Sequence, residues 1–328
     1  MKNKWLWLVA LAALATGIVV AGMKMQDQAP EVTPETSTTN SDLQTTTTSE
    51  AKERGVTEEK MVEVYVDPAL YDTSSAEETP YDYVSVREKA DTESEVLTKL
   101  HRGEWATYIK TEGDYVKVRA DSGKEGYIPK ANTNEVQTIQ RLEKATDVSQ
   151  LSVVLDAGHG GIDTGAESLD GNVYEKDLTL NTVKVVGKLL EENGVAVTYT
   201  RTDDTLLSLE NVNKLSLKTN PDIFISIHYD NYDYPNQAHG FTTYYYYRDG
   251  QKLGNLVSQQ LAASLPLTNN DVRFGNYYVI RQTYIPTSLL LELGYVNSDH
   301  DLSEITKEDY PEKVAQGLLK ALEQYVAE

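Results

Sequence analysis

A run of apolar residues, Val153-Val154-Leu155, breaks off into Asp156-Ala157-Gly158-His159-Gly160-Gly161. No other feature narrows the fold as far. The run reads as a buried parallel strand. Glycines of that density let the backbone turn tightly and come close to a bound atom. His159 therefore falls just past the C-terminal end of a strand, where open α/β sheets hold their ligands. The pattern downstream supports such a sheet. Helical periodicity over 177–193 stops at Asn193-Gly194, and residues 195–200 read as a strand. A helix over 206–219 leads to a strand over 222–228, followed by strands over 240–247, 276–280 and 288–293 and a helix over 251–265. Asp309-Tyr310-Pro311 opens a last helix whose Val314, Leu318, Leu322 and Tyr325 share a face. Strands alternating with helices predict an α/β domain over 151–328, with a largely parallel sheet flanked by helices.

Four polar groups fall at or near strand ends of that sheet. His159 ends the first strand, Glu175 precedes the first helix, His228 closes DIFISIH, and Glu292 lies within SLLLE. A lone histidine at a strand end is more often hydrogen-bonded structure than a ligand, but here it has three partners. Two imidazoles and one carboxylate, with a fourth position open to water, make a catalytic zinc set. Other divalent ions also accept these donors. The remaining carboxylate would act on the water. With no cysteine, the chain has no thiolate-rich structural site and no disulfide framework. His239 and His300 read as non-ligands, with a supporting role open for His239. Asp156 and Asp163 read first as turn formers that could also orient the glycine loop. Of Tyr244 to Tyr247, alternate members must face the core.

DAGHGGIDTGA, then Glu175, then FISIH, then LLLELGYVNS, in that order, resemble the zinc-dependent N-acetylmuramoyl-L-alanine amidases of the type 3 family. The resemblance implies zinc ligands at His159, Glu175 and His228 and a catalytic carboxylate at Glu292. It implies hydrolysis, by zinc-activated water, of the amide between N-acetylmuramic acid and the L-alanine of the stem peptide. Arg281 is a candidate for binding a substrate carboxylate. Two departures stand out: Asp230 takes a position where the family usually has Asn, and the stretch SLENVNKLSLKTNPD lacks the family's Arg and Ala-Asn. No long insertion separates His228 from Glu292, so the self-inhibiting helix of some relatives is not expected.

Upstream the chain changes character three times. Residues 1–25 carry Lys2 and Lys4 and then an uncharged run from Trp5 to Met23. A helix of that run spans ~28 Å, close to the ~30 Å hydrocarbon core. It reads as a signal anchor with a cytoplasmic N-terminus. The alternative is cleavage and secretion, although no convincing site ends the run. Residues 26–60 are rich in Thr, Ser, Glu and Pro and read as a disordered linker. Residues 61–134 show short strand signals broken by glycine turns, as in a small all-β barrel. VSVRE, DYVKVR and a GYIP-like end resemble bacterial SH3-like (SH3b) domains, with Tyr115 where Trp is frequent. That resemblance implies wall binding; a spacer or a lid is the alternative. His101 reads as ordinary surface, and residues 135–150 as a polar connector with helical spacing.

The formal net charge of −21 argues against a nucleic-acid partner, which needs clustered Lys and Arg. The expected partners are peptidoglycan and, through the N-terminal helix, a membrane; protein activators stay open. The expected location is the cell membrane, with the folded domains facing the wall. Two rivals remain: another zinc peptidase of the wall, and a non-catalytic wall-binding protein.

Overall fold

A computed structural model describes residues 54–66, 83–120, 122–283 and 285–328. The expected anchor and most of the expected linker lie outside these residues. Among the described residues, no helix is long and apolar enough to cross a membrane.

Seven strands form an upstream sheet: β1 (Val56–Glu63), β2 (Tyr83–Arg87), β3 (Val96–His101), β4 (Trp105–Glu112), β5 (Tyr115–Arg119), β6 (Glu125–Pro129) and β7 (Gln137–Leu142). Their order is β3-β2-β6-β5-β4-β1-β7. All pairs are antiparallel. Inward alternation fills the core with Val62, Val84, Val86, Leu100, Val116, Val118 and Ile128. Two boundaries differ from expectation. Residues 56–60 belong to β1 rather than to a linker, and the expected helical connector contains β7. The two pair over six positions, from Val56 opposite Leu142 to Met61 opposite Gln137. A ladder is satisfied by backbone groups alone, so VTEEK can form a strand without apolar alternation.

The second sheet contains β8 (Ser152–Ala157), β9 (Ala196–Tyr199), β10 (Ile223–Asp230), β11 (Phe241–Tyr245), β12 (Asn269–Phe274) and β13 (Ser288–Tyr295), in the order β12-β11-β13-β10-β8-β9. It is largely parallel, as expected, and one antiparallel junction makes it mixed. The pairs β9–β8, β8–β10 and β10–β13 are parallel, but β11 runs antiparallel to β13 and β12 follows β11. A chain that enters at the far end of β13 reverses the local direction, and no residue pattern announces this. The strand expected over 276–280 is also corrected. Gly275 ends β12, and the next apolar residues form a one-turn helix, α4 (Tyr278–Arg281), with Val279 and Ile280 buried. Short apolar runs do not by themselves distinguish strand from helix.

The helices α1 (Glu175–Glu192), α3 (Gly250–Ser264) and α6 (Tyr310–Ala327) cover one face of this sheet, and α5 (Asp299–Ile305) packs against β13. That face holds Val153, Leu155, Ile225, Ile227, Leu289, Leu291 and Leu293. The other face holds Val154, Phe224 and Leu290 under α2 (Leu209–Thr219) and α4. By alternation, Asp156, His228 and Glu292 belong to this second face, at the C-terminal ends of their strands.

Candidate metal centre

Parallel pairing aligns the strand ends that carry the site. Ser226 stands beside Asp156, and His228 beside Glu292. Beyond β8 the chain turns at His159, whose φ of 63° lies in the left-handed region. Gly160 and Asp163 close the turn with reciprocal backbone hydrogen bonds, each 3.0 Å. Gly158 is required for space: a Cβ there would lie 2.2 Å from the His228 ring. Gly165 has the same role opposite Glu175, where a Cβ would lie 2.5 Å from Oε2.

Buried Arg201, just beyond β9, holds the loop from beneath. Its Nε donates to the Ala157 carbonyl, and Nη2 donates to the Gly158 and Lys176 carbonyls, each at 2.9 Å. Asp156, also buried, accepts from the Thr200 and Ser226 hydroxyls at 2.7 and 2.6 Å, tying three strands together.

Glu175 is the first residue of α1, where the unpaired amides of a helix start favour a carboxylate. Its Oε1 lies 2.9 Å from His228 Nδ1 and accepts from the Tyr229 amide at 3.0 Å. Its Oε2 lies 3.1 Å from His159 Nε2 and accepts from the Ala166 amide at 2.8 Å. Burial alone would raise the Glu175 pKa, but the two histidines outweigh it and hold the carboxyl well below its ordinary range. Burial would lower His159; Glu175 and Asp163 override that and lift it to about 9. On its far side, His159 Nδ1 meets Asp163 Oδ2 at 2.9 Å.

Among the described residues, His159, Glu175 and His228 form one group able to hold a metal ion, with donor atoms within 4.8 Å of one another. The donor set fits zinc: two imidazoles and a carboxylate, all uncharged or anionic at neutral pH once a cation displaces the protons. Asp163 supplies the carboxylate–histidine support that such ligands usually have.

Glu292 shares the sheet face of its strand neighbour His228 and lies outside this group. Its Oε2 is shut off from solvent and has no hydrogen-bond partner. Burial first, then the Asp230 and Glu175 carboxylates, raise its pKa well above the ordinary value. Asp230 is raised as well, chiefly by burial, against hydrogen bonds from Tyr295 and the Asn231 amide. Tyr244 and Tyr277 meet edge to face nearby, with centroids 5.0 Å apart.

The four residues read from strand ends thus converge. His239 and His300 do not join them. They pack on each other at 6.1 Å, and His300 Nδ1 meets Asp301 at 2.8 Å. Arg281 sits on α4, its Nη1 donating to Asn276 Oδ1 at 2.6 Å. Asp163 does more than form a turn, because it also holds His159. Tyr245 and Tyr247 are buried while Tyr244 and Tyr246 are half-buried, as alternation requires. Arg201 escaped sequence reasoning; the available signal was a lone arginine ending an apolar strand.

A family profile described as N-acetylmuramoyl-L-alanine amidase matches residues 153–324, and one described as bacterial SH3 domain matches residues 82–134. A probable cell wall amidase, LytH, of Staphylococcus epidermidis is 34% identical over 232 residues, covering 70% of this chain and 77% of the relative. The catalytic domain of CwlV, an N-acetylmuramoyl-L-alanine amidase from Bacillus (Paenibacillus) polymyxa, superposes with a TM-score of 0.51 at 32% identity. It covers 53% of this chain and 97% of its own. The CwlD amidase from Clostridioides difficile, solved in complex with the GerS lipoprotein, superposes with a TM-score of 0.51 at 28% identity, over 54% of this chain and 98% of its own.

Proposed function

Since the chain belongs to the N-acetylmuramoyl-L-alanine amidase family, and is thus a peptidoglycan hydrolase, we propose that His159, Glu175 and His228 hold a zinc ion and that Glu292 is the general base. The observation that supports this reading most is the buried, unpartnered Oε2 of Glu292, in register with His228 of a compact His-Glu-His donor set. Zinc, when bound, supplies a Lewis acid that acidifies water and polarises a carbonyl. Glu292 accepts the proton of the attacking water and returns it to the departing amine of L-alanine. Its raised pKa suits that return, since a carboxyl that binds a proton readily can hold it until the amine leaves. Asp163 holds the His159 ring at Nδ1, leaving Nε2 on the side of Glu175, where it would bind the metal. Arg281, steadied by Asn276 on α4, is the proposed partner of a substrate carboxylate, and Arg281→Met is expected to raise KM more than it lowers kcat.

Isolated walls digested by the purified chain are the test. New L-alanine amino termini with intact muramoyl lactyl carboxylates, lost on chelation and restored by zinc, are expected. New ends within the stem peptide or crosslink would replace this reading with a peptidase.

The upstream sheet is proposed to bind peptidoglycan, supported by its match to bacterial SH3 domains. Co-sedimentation of residues 54–142 with insoluble walls tests this, and a domain left in the supernatant would refute it. The N-terminal run is proposed to anchor the protein with its domains outside, supported by the 19 uncharged residues from Trp5 to Met23. Mature protein in the medium beginning near residue 24 would instead show cleavage.

A further inference from the structure

The upstream sheet does not hang from the catalytic domain by its connector alone. Met61 of β1 and Trp105 of β4, each 1% exposed, enclose a small apolar cluster with Tyr247, 0% exposed, and with Tyr246 beside it. Tyr246 and Tyr247 lie just beyond β11, in the catalytic domain. Around this cluster the surfaces fit closely. A Cβ on Gly103 would lie 3.1 Å from the Tyr246 ring. The Arg102 guanidinium lies over Phe274, 4.1 Å from its centroid. His101 is not ordinary surface, since its Nε2 meets Arg248 Nη2 at 3.3 Å. A second tie lies near the other end of β1, where Arg54 pairs with Asp222 at 2.5 Å; Asp222 also accepts from the Ser152 amide at 2.8 Å.

From this cluster a short path of contacts leads to the catalytic face. The Tyr247 hydroxyl donates to the carbonyl of Arg281, at the end of α4. That helix is one turn long, and a turn of this length has little stability of its own. Its backbone amides bond back to Tyr277 and Tyr278, at 3.0 and 2.9 Å. Tyr277 meets Tyr244 edge to face at 5.0 Å. Gly275 lets both rings close in, since a Cβ there would lie 2.7 Å from Tyr277 and 2.9 Å from Tyr244. Tyr244 is two residues beyond Thr242, the cross-strand partner of Glu292, and so shares its face.

We propose that the SH3-like domain is a positioning element of the active site: Trp105 and Met61 fix Tyr247, whose hydroxyl holds the α4 turn and thereby the Tyr277–Tyr244 wall beside Glu292. The domain then sets turnover as well as any wall affinity. This rests on the role proposed for Glu292. An unsupported α4 turn has one tertiary hydroxyl fewer to hold its last carbonyl. The wall beside the reacting bond then samples other positions, and small misplacements at a reacting centre are costly.

Two full-chain variants test this, Tyr247→Phe, which keeps the ring and removes the donor, and Trp105→Ala. Three readouts apply: amide hydrogen exchange over 277–282, kcat on a soluble muramoyl-peptide fragment too small to need wall binding, and zinc content. Exchange over 277–282 is expected to quicken in both, with kcat down about three- to tenfold, KM and zinc little changed, and Trp105→Phe restoring most of kcat. Unchanged exchange over 277–282, or quickened exchange with wild-type kcat, would overturn the proposal. A wild-type chain that leaves the fragment intact would instead count against Glu292 as the base of an amidase, while exchange still reports on the path from Trp105 to α4.

Discussion

His228 and Glu292 stand side by side in register on adjacent parallel strands, β10 and β13. The pairing brings a proposed zinc ligand and the proposed base to one strand end with no intervening loop. Rigid strands hold such pairs more closely than loops can. The arrangement fits separate roles, since Glu292 lies outside the three-donor group on the same sheet face as His228.

The roles can be tested by one substitution. Glu292→Gln keeps the shape of the side chain and cannot accept the water proton. Turnover is expected to fall by about 10²–10⁴, the usual range for a general base, with zinc content unchanged. Loss of zinc from this variant would make Glu292 a ligand instead.

Asp163 is expected to act on the metal through His159. Removing the carboxylate at 2.9 Å from Nδ1 frees the ring to turn and makes Nε2 less basic. Asp163→Ala should weaken zinc affinity by about 10–100-fold, as for other carboxylates behind metal-ligating histidines. Competition with a chelating dye measures this, and an unchanged affinity would reduce Asp163 to a turn former.

Space, rather than chemistry, makes Gly158 necessary. Gly158→Ala places a methyl carbon 2.2 Å from His228 Cε1, so the ring must leave its position. Loss of zinc and of activity is expected together. Gly171→Ala is the comparison: its φ is 71°, but a Cβ there meets nothing within 4 Å. It should cost about 1–2 kcal/mol of stability from left-handed backbone and leave zinc content unchanged. Full zinc retention in Gly158→Ala would show that the loop can shift away.

Asp230 is expected to contribute to the pH range, after burial. Burial, Asp230 and Glu175 all favour the protonated form of Glu292, so its pKa lies above the ordinary value of 4.5. A base works only when deprotonated, and activity should therefore fall as pH drops through that raised pKa. Asp230→Asn removes one of the repelling charges, and the acidic limb of kcat/KM should move to lower pH. A limb that stays in place, or moves upward, would show that Asp230 does not act on Glu292.

Much of the site was legible in the chain because its signals are local. A strand that breaks into DAGHGG, a glutamate opening a helix, a histidine ending FISIH and a glutamate inside LLLEL each declare themselves within a few residues. Their convergence also followed, because parallel α/β sheets gather strand ends on one edge. Tertiary structure alone decided what depends on partners far along the chain. VTEEK became a strand because residues 137–142 lie beside it, and the sheet became mixed because β11 entered against β13. Arg201 became the support of the glycine loop because the end of β9 lies beneath it. Trp105 and Tyr247 became one core because two domains close over them. Backbone ladders and apolar surfaces accept many partners, so composition and periodicity state that a segment will pair or be buried, and only the folded chain selects with what.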